Sequence, residues 1–424
     1  MQLNQQIKID VCSEIGELEG VIIHTPGLEV EEMTPENAER ALYSDILNLS
    51  VAGEEYATFK KVLKKVAPTF EVKDLLADIL TNEKVKASLI NDICKKEMAM
   101  EIFPKLMEQD ATELSRLLIQ GVYLERNNLT RYLSIERFSL WPLHNFLFTR
   151  DASMSFGNQV LIGKMASRVR DREAVIMEAI FKHHPKLVTS TINPNTPEVN
   201  LNYPGISIEG GDFQVGREDV LVIGTGIRTS TQGIDFILDE LKAKKDGLRH
   251  VLVQELPDKP ESFIHLDMVF TFLDVDACMV YEPLIMATNR FHTIHIEVDN
   301  GEVKRIHEEK NLPAALKKLG IDMKHVKCGG DIDSWTQERE QWHSGANFFA
   351  FAPGKVIGYE RNVHTVDQLN SNGFQVIQAK DLLRGSCDIP EGKCVITIPG
   401  SELARGGGGA RCMTMPIRRK KVGW

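Results

Sequence analysis

The sequence predicts an α/β fold in which one strand–turn–strand unit recurs around an axis and a helical segment is inserted. Four segments share the unit, which consists of a polar residue, an alternating strand, a short turn and a second apolar strand. They begin at Asp151, Asp212, Asp267 and Asn347. Residues 74–140, by contrast, are rich in Leu, Lys and Glu and carry few strand signals, which predicts a small helical bundle.

Each unit pairs β-rich runs of period two around Gly, Asn or Asp turn signals, a pattern typical of a hairpin. The runs GVIIHTPG, near the N-terminus, and CVITIPG, near the C-terminus, predict further strands of the same set. The stretch from Gln232 carries apolar residues at helical spacing and predicts a helix. Repetition favours radial packing, with the polar residues at equivalent strand ends meeting in the middle. Because the spacings are irregular, unrelated hairpins of an α+β fold are the alternative.

The chain has 424 residues, which allows two or three domains or one larger closed architecture with an insertion. We expect residues 1–73 and 141–424 to form a catalytic α/β domain. Residues 74–140 are expected to form an inserted α-helical domain. Its role is expected to be structural, or it covers the site or another subunit.

Composition limits the classes of partner. A net charge of −10 argues against nucleic-acid binding, which needs a basic field. No apolar run reaches the ~18–20 residues that span a bilayer, and MQLNQQIKID lacks a signal-peptide core. The seven cysteines are scattered and do not form a disulfide framework, which suits a reducing cytoplasm. The basic run at residues 418–421 is expected to be an exposed tail.

Cys412 has a distinctive context, because it follows the glycine-rich run that starts at Ala404 (ARGGGGAR). Glycine loses the most entropy on ordering, so such a run favours a functional loop that lets backbone approach a ligand closely. A free thiol has a pKa of about 8.5, so attack at neutral pH needs a base or a nearby positive charge. His265 is the natural partner for the thiol.

Three of the candidate motifs lie at or just before the start of a repeated unit, so radial packing would bring their side chains together. They supply four carboxylates: Asp151, Glu209, Asp212 and Asp267. Clustered carboxylates beside a thiol suit a guanidinium, whose planar fork of donors they match bidentately. The positive charge of that group would favour the thiolate of Cys412. Arg170 and Arg228, outside this cluster, are expected to bind a carboxylate at the other end of the ligand, and a ligand with both groups is arginine.

The chain resembles arginine deiminases of the guanidino-group-modifying (pentein) superfamily over essentially its whole length. The matching stretches include ELEGVIIHTPG, NFLFTRDAS, IEGGDF, GIRTS, FIHLDMVFT and SELARGGGGARCMTMP, which are specific together and in this order. The resemblance implies a five-bladed α/β propeller with pseudo-fivefold symmetry and a helical insertion. It also implies a hydrolase that converts free L-arginine to L-citrulline and ammonia, forms homo-oligomers (dimers or tetramers) and needs no metal or organic cofactor.

The resemblance also implies roles for single residues. Cys412 matches the nucleophile that attacks the guanidinium carbon, and His265 matches the general acid and base, assisted by Glu209. Asp151 and Asp267 match the pair that clamps the guanidinium nitrogens. The residues expected to bind substrate are Asn145, Phe148, Arg170, Asp212, Arg228 and Arg405.

Gly407 departs from the family pattern, since many relatives carry an arginine at this position of the glycine-rich run. The departure bears on how the cysteine is tuned, and it removes no residue of the core chemistry. Four alternatives stay open. The chain could act on another guanidine such as agmatine or methylarginine, act on protein-bound arginine, transfer the amidino group to an amine, or bind arginine without turnover.

Overall fold

The computed structural model describes residues 6–424. The first five residues of MQLNQQIKID, the stretch that lacks a signal-peptide core, therefore lie outside the described part. Over this range the strands are β1 (Ile7–Lys8), β2 (Leu18–Ile23), β3 (Thr69–Glu71), β4 (Val122–Tyr123), β5 (Phe138–Leu140), β6 (Ser153–Phe156), β7 (Gln159–Ile162), β8 (Leu187–Val188), β9 (Ser190–Ile192), β10 (Phe213–Arg217), β11 (Val220–Thr225), β12 (Arg249–Glu255), β13 (Phe270–Asp274), β14 (Ala277–Val280), β15 (Thr293–Asp299), β16 (Glu302–Glu309), β17 (Lys324–Lys327), β18 (Phe349–Ala352), β19 (Lys355–Tyr359), β20 (Gln375–Gln378), β21 (Cys394–Ile398) and β22 (Met415–Arg419). The α-helices are α1 (Leu28–Glu31), α2 (Leu49–Val66), α3 (Val72–Leu80), α4 (Glu83–Lys96), α5 (Phe103–Met107), α6 (Ala111–Gln120), α7 (Leu129–Tyr132), α8 (Asp171–His183), α9 (Pro197–Asn202), α10 (Thr231–Lys244), α11 (Glu282–Ile285), α12 (Leu312–Lys318), α13 (Ser334–Trp342), α14 (Val363–Ser371) and α15 (Ala379–Arg384).

The four predicted hairpins are confirmed as β6–β7, β10–β11, β13–β14 and β18–β19, each antiparallel. In each case the second strand then pairs in parallel with a later strand, respectively β9, β12, β17 and β21. The predicted strands near the two ends of the chain are also present, as β2 and β21, and the helix predicted from Gln232 is α10. The recurring unit is therefore a hairpin followed by a parallel crossover strand.

A fifth sheet repeats this pairing with strands from both ends of the chain. β2 is antiparallel to β22 and parallel to β3. The expectation that the basic run at residues 418–421 forms an exposed tail is therefore wrong for its first half. Arg419 is buried in β22, where its guanidinium donates to the carbonyl of Gly16 at 2.7 Å, and Arg418 pairs with Glu19 at 2.8 Å.

Residues 74–140 are mainly helical, as predicted, and hold most of α3 together with α4 to α7. Asn82 and Asp110 cap α4 and α6 by accepting hydrogen bonds from free backbone N–H groups of the first turn. The apolar faces of α3, α4 and α6 share one buried cluster with β7 and α8. This packing fixes the helical segment against the sheet that follows Asp151. Among the described residues, no helix is both long and apolar enough to cross a bilayer.

Candidate active site

The four polar residues that open the units are buried, and the side chains of three of them accept a hydrogen bond from backbone just before a later opening position. Asp151 accepts from the backbone N–H of Gly211 at 3.0 Å, and Asp212 accepts from that of Leu266 at 2.9 Å. The side-chain oxygen of Asn347 accepts from the N–H of Arg411 at 2.9 Å. In each pair the donor immediately precedes the next opening position, and Cys412 takes the last of these positions. The equivalent strand ends therefore meet, as the repeats predict.

Beside these strand ends lies a cavity of about 400 Å³, a size suited to a small metabolite. It brings together eight of the residues singled out from the sequence: Asn145, Phe148, Asp151, Arg170, Arg228, His265, Arg405 and Cys412. Glu209, Asp212 and Asp267 lie behind this wall and are fully buried. The cavity is thus lined by a thiol, an imidazole, three arginines and the Asp151 carboxylate, with further carboxylates beneath them.

Cys412 lies against carboxylate and amide groups. Its Sγ is 3.6 Å from the Oδ2 of Asp267 and accepts from the Nδ2 of Asn347 at 3.1 Å. Burial raises the pKa of the Cys412 thiol well above its usual value, and the charges of Asp267 and Asp151 raise it further. The free site therefore favours the thiol, and a positive charge must enter before the thiolate forms.

His265 is held by carboxylates on two sides. Its Nε2 lies 3.0 Å from the Oε2 of Glu209, and its Nδ1 lies 3.8 Å from Asp151. Burial disfavours the imidazolium, but the charges of Asp151, Glu209 and Asp212 and the Glu209 hydrogen bond outweigh it and raise the pKa of His265 to about 9. Burial likewise opposes ionisation of Glu209, yet His265 and Arg228 hold its pKa at about 2. The pair is an imidazolium bonded to a carboxylate at neutral pH.

Asp212, which is expected to bind substrate, lies behind the cavity rather than on its wall. Its Oδ1 accepts from the N–H of Leu266, while its Oδ2 has no hydrogen-bond partner within residues 6–424. Burial raises the pKa of Asp212 to about 7. Its contacts are with the backbone beside His265, so it positions that residue.

Arg170 also differs from expectation, because it lies inside the carboxylate cluster and not outside it. Its Nη1 donates to Asp151 at 2.8 Å, its Nε and Nη2 donate to Glu173, and its Nη2 also reaches the carbonyl of Phe148. Burial raises the pKa of Glu173 to about 7 although Arg170 opposes this. Arg170 thus lines the cavity with most of its donors already used.

Arg228 makes fewer contacts with carboxylates than Arg170 does. It lies 3.8 Å from Glu209, and its side chain is 12% exposed on the cavity wall. Its Nε has no hydrogen-bond partner in the part of the chain that the structure describes. Asn145 lies on the same wall, with its Nδ2 donating to the carbonyl of Ala41 at 2.7 Å. These groups can meet an anionic end of a ligand.

The sequence reasoning assigned no role to three residues that hold the site together. Asn347 bonds Cys412 through both ends of its amide, since its Oδ1 also accepts from the Cys412 N–H at 3.2 Å. Arg411 is fully buried, and its guanidinium bridges Asp267 at 2.8 Å and Glu14 at 3.1 Å. Asn347 could have been found, because it opens the fourth unit. No sequence motif around Glu14 indicates that it pairs with Arg411.

The glycine-rich run passes over the aromatic wall of the site. A Cβ at Gly408 would collide with the ring of Phe148, and one at Gly409 would lie 2.6 Å from Asn347. Gly407 has a φ of +80° and open space around it. Arg405 lies at the rim, where it pairs with Asp45 at 3.1 Å and Glu402 at 3.3 Å. The glycines therefore let the loop approach Phe148 and Asn347 closely.

Asp151, Glu209 and His265 carry donor atoms close enough to ligate a metal ion. Arg170, however, already holds the Oδ2 of Asp151 at 2.8 Å and lies 3.8 Å from Glu209. Arg170 and the His265 imidazolium therefore already neutralise part of the carboxylate charge that a metal ion would need.

Comparisons with known proteins agree with this chemistry. The family described as arginine deiminase matches residues 39–419. An arginine deiminase of Bacillus cereus is 32% identical over 432 residues, and one of Bacillus cytotoxicus is 31% identical over 433 residues; each alignment covers 98% of this chain and 99% of the relative.

Solved structures extend the likeness to the fold. SxtG, an amidinotransferase from Microseira wollei in the saxitoxin biosynthetic pathway, superposes with a TM-score of 0.51 at 13% identity, covering 98% of both chains. The substrate-bound N-terminal domain of ArgZ, an arginine dihydrolase from the ornithine–ammonia cycle in cyanobacteria, superposes with a TM-score of 0.52 at 13% identity, covering 94% of this chain and 98% of that one. The chain therefore shares the mixed α/β fold of these two proteins.

Proposed function

The chain belongs to the arginine deiminase family, and we propose that it hydrolyses free L-arginine to L-citrulline and ammonia through Cys412. One observation supports the proposal most strongly. Cys412 is a buried thiol beside Asp267, and the cavity that it lines also holds the His265 imidazolium and Arg228. A guanidinium entering this cavity supplies the positive charge that the thiolate needs, so substrate and nucleophile activate each other.

In this proposal the guanidinium enters between Asp151, on the cavity wall, and Asp267, which lies directly behind Cys412, and the two carboxylates clamp its nitrogens. As the guanidinium binds, the thiol of Cys412 loses its proton to solvent, and the thiolate then attacks the guanidinium carbon. His265, protonated because of its carboxylate neighbours, gives its proton to one terminal nitrogen, which leaves as ammonia. An amidino-thioether on Cys412 remains.

Water completes the reaction. His265, now neutral and oriented by Glu209, takes a proton from a water molecule that attacks the same carbon. The bond to sulfur breaks, the thiolate of Cys412 is regenerated and citrulline is released. The net change is arginine plus water to citrulline plus ammonia, so His265 serves as acid in the first half and as base in the second.

Arg228 is the principal ligand of the substrate carboxylate in this proposal, since its side chain lines the cavity and its ion pair with Glu209 is a loose one of 3.8 Å. Asn145 and Arg405 lie around the same opening, and Phe148 packs along the ligand. Arg170 acts chiefly by holding Asp151 in place, and it reaches the carboxylate only by exchanging its contact with Glu173. Agmatine lacks a carboxylate, so this arrangement selects against it.

The decisive experiment measures citrulline formed from arginine and ammonia released from agmatine by the purified protein. We expect turnover of arginine at least tenfold above that of agmatine, and none in Cys412→Ser. In Arg228→Gln the KM for arginine should rise while that for agmatine changes little. Binding of arginine without citrulline would identify a non-catalytic arginine binder, and preference for agmatine would overturn the substrate assignment. Citrulline formation in Cys412→Ser would overturn the nucleophile.

We further propose that the five sheets with the common pairing are the blades of a pseudo-fivefold α/β propeller. The bonds from the side chains of Asp151, Asp212 and Asn347 to backbone just before a later opening position support this arrangement. Residues 74–140 are proposed as an inserted helical domain of the catalytic domain formed by residues 1–73 and 141–424. Its apolar faces pack on α8, which supports a structural role.

A homo-oligomer, dimer or tetramer, and a cytoplasmic location complete the proposal. The segment after α6 exposes an apolar group that supports a subunit contact: Leu129, Tyr132, Leu133 and Ile135. All seven cysteines are unpaired within the described residues, which supports a reducing compartment. Light scattering after gel filtration tests the oligomer, and Ile135→Asp should reduce the measured mass.

A further inference from the structure

Three histidines and one glutamate line up across the strands β12, β15 and β16, away from the cavity lining. His295 lies directly opposite His307 in the β15–β16 register, and His250 lies on the same face of β12. Glu309 ends β16, immediately before the loop to α12. Three of the twelve histidines of the chain therefore share one face of one sheet.

The side chains converge on one point. The Nε2 of His307 lies 3.1 Å from the Oε1 of Glu309, and the Nδ1 of His295 lies 3.8 Å from the same oxygen. The donor atoms of these three residues all lie within 4.8 Å of one another. Zinc takes imidazole and carboxylate ligands at about 2.0–2.2 Å, so donors around one ion stand about 3–4 Å apart.

Two neighbouring side chains orient His295 and Glu309 toward the point between them. The Nδ1 of His250 hydrogen-bonds the Nε2 of His295 at 2.9 Å, which turns the other ring nitrogen of His295 toward Glu309. Lys318 holds the second oxygen of Glu309 at 2.6 Å and so leaves Oε1 facing the histidines. Outer-shell partners of this kind orient metal ligands.

Hydrogen bonding alone does not satisfy the cluster. The Nδ1 of His307 is buried without a partner among the residues that the structure describes. The side chains of His295 and Glu309 are 6% and 1% exposed, whereas that of His307 is 23% exposed. His295 and Glu309 therefore form the buried side of the cluster. On the side of His307, which is partly exposed, a water molecule can serve as the fourth ligand.

We propose that His295, His307 and Glu309 bind a divalent transition-metal ion of the zinc class, with His250 as a positioning residue. Two imidazoles and one carboxylate select zinc or a similar ion over calcium or magnesium, which prefer sets of oxygens. The ion joins the outer hairpin of the five-stranded sheet to the loop that leads into α12. It takes no part in the chemistry at Cys412.

The test titrates Zn²⁺ against the EDTA-treated full-length protein in competition with a chelating indicator. Cys412→Ser serves as the parent, because the cavity itself offers a thiol, an imidazole and carboxylates. We expect one tight equivalent in the parent, at least tenfold weaker binding in His295→Ala and in His307→Gln, and an intermediate loss in His250→Ala. The matched control is His292→Ala, since His292 pairs with Glu308 on the same hairpin but is half exposed, and it should bind as the parent does.

A thermal-unfolding measurement separates binding from misfolding. Zinc should raise the Tm of the parent and of His292→Ala but not that of His307→Gln, while all three unfold alike in EDTA. A parent that binds no zinc equivalent overturns the proposal. So does binding in which His295→Ala and His307→Gln match the parent. Citrulline formation by the enzyme with Cys412 intact is expected to survive EDTA, so the two proposals fail separately.

Discussion

Asp267 has two opposing effects on Cys412, and removing its charge should separate them. In the free enzyme the carboxylate keeps the thiol protonated, because its Oδ2 lies 3.6 Å from the Sγ. With substrate bound, the same carboxylate is proposed to hold the guanidinium. We therefore expect Asp267→Asn to make Cys412 more reactive toward a neutral reagent and much less active on arginine.

The magnitude follows from the distance. Two unit charges about 4 Å apart interact by about 4 kcal/mol at an effective dielectric constant near 20. Arg411, 2.8 Å from the same carboxylate, offsets part of this, so we expect the substitution to lower the pKa of the Cys412 thiol and to favour the thiolate by about 2.7 kcal/mol, at about 1.4 kcal/mol per factor of ten. The thiolate fraction then rises roughly 100-fold, and the lower intrinsic nucleophilicity reduces the gain in rate to about tenfold.

The assay follows modification of Cys412 by methyl methanethiosulfonate at pH 7.5, quantified by mass spectrometry on the tryptic peptide 412–418. Labelling of Asp267→Asn should be about tenfold faster than that of wild type, while its kcat for arginine falls by at least 100-fold. Asp388→Asn, which removes one exposed charge, is the control and should leave both rates unchanged. Equal or slower labelling of Asp267→Asn would refute the electrostatic reasoning, whatever the effect on turnover.

Three further predictions concern the residues around the nucleophile. The folded-state pKa of His265 is raised to about 9 from an ordinary 6.5, so its pairing stabilises the fold below pH 6.5 by about 3 kcal/mol. That contribution is lost as the pH rises toward 9, so urea unfolding of wild type and His265→Gln should converge over this range, and parallel curves would refute it. Asn347→Ala leaves the N–H groups of Arg411 and Cys412 unpaired, so we expect a loss of about 1–3 kcal/mol in urea unfolding and a lower kcat, and unchanged stability would refute it. Gly407→Arg should lower stability by about 1–2 kcal/mol because its φ is +80°; Gly407→Ala should cost the same in thermal unfolding, since the strain is in the backbone.

The repeated units could be predicted because their information is local. Each hairpin is indicated by two runs of alternating residues on either side of a turn, and the polar residue that opens the unit lies just before the first run in the sequence. Asp151, Asp212, Asp267 and Asn347 accordingly lie at equivalent strand ends, as the sequence indicates. The candidate nucleophile was equally accessible, since a glycine-rich run beside Cys412 is a local signal.

The errors concern contacts between distant segments. Arg419 is buried because β22 pairs with β2, which a basic run near the end of the chain does not reveal. Arg170 was placed outside the carboxylate cluster, whereas α8 begins beside Asp151 and brings it in. Glu14 pairs with Arg411 from the far end of the chain. Residue type alone does not determine such partners, because they depend on which strands meet.

These arginines explain how so many carboxylates stay buried beside a cysteine. An unpaired buried charge costs several kcal/mol, and Asp267 avoids this cost by binding Arg411 through its Oδ2. Asp151 does the same with Arg170. The other oxygen of Asp267 has the Cys412 thiol at 3.9 Å as a weak neighbour, and that of Asp151 accepts from a backbone N–H. Each carboxylate therefore binds an arginine through one oxygen, while its other oxygen contacts the Cys412 thiol or a backbone N–H, and these pairings offset the cost of burying both groups beside the cysteine.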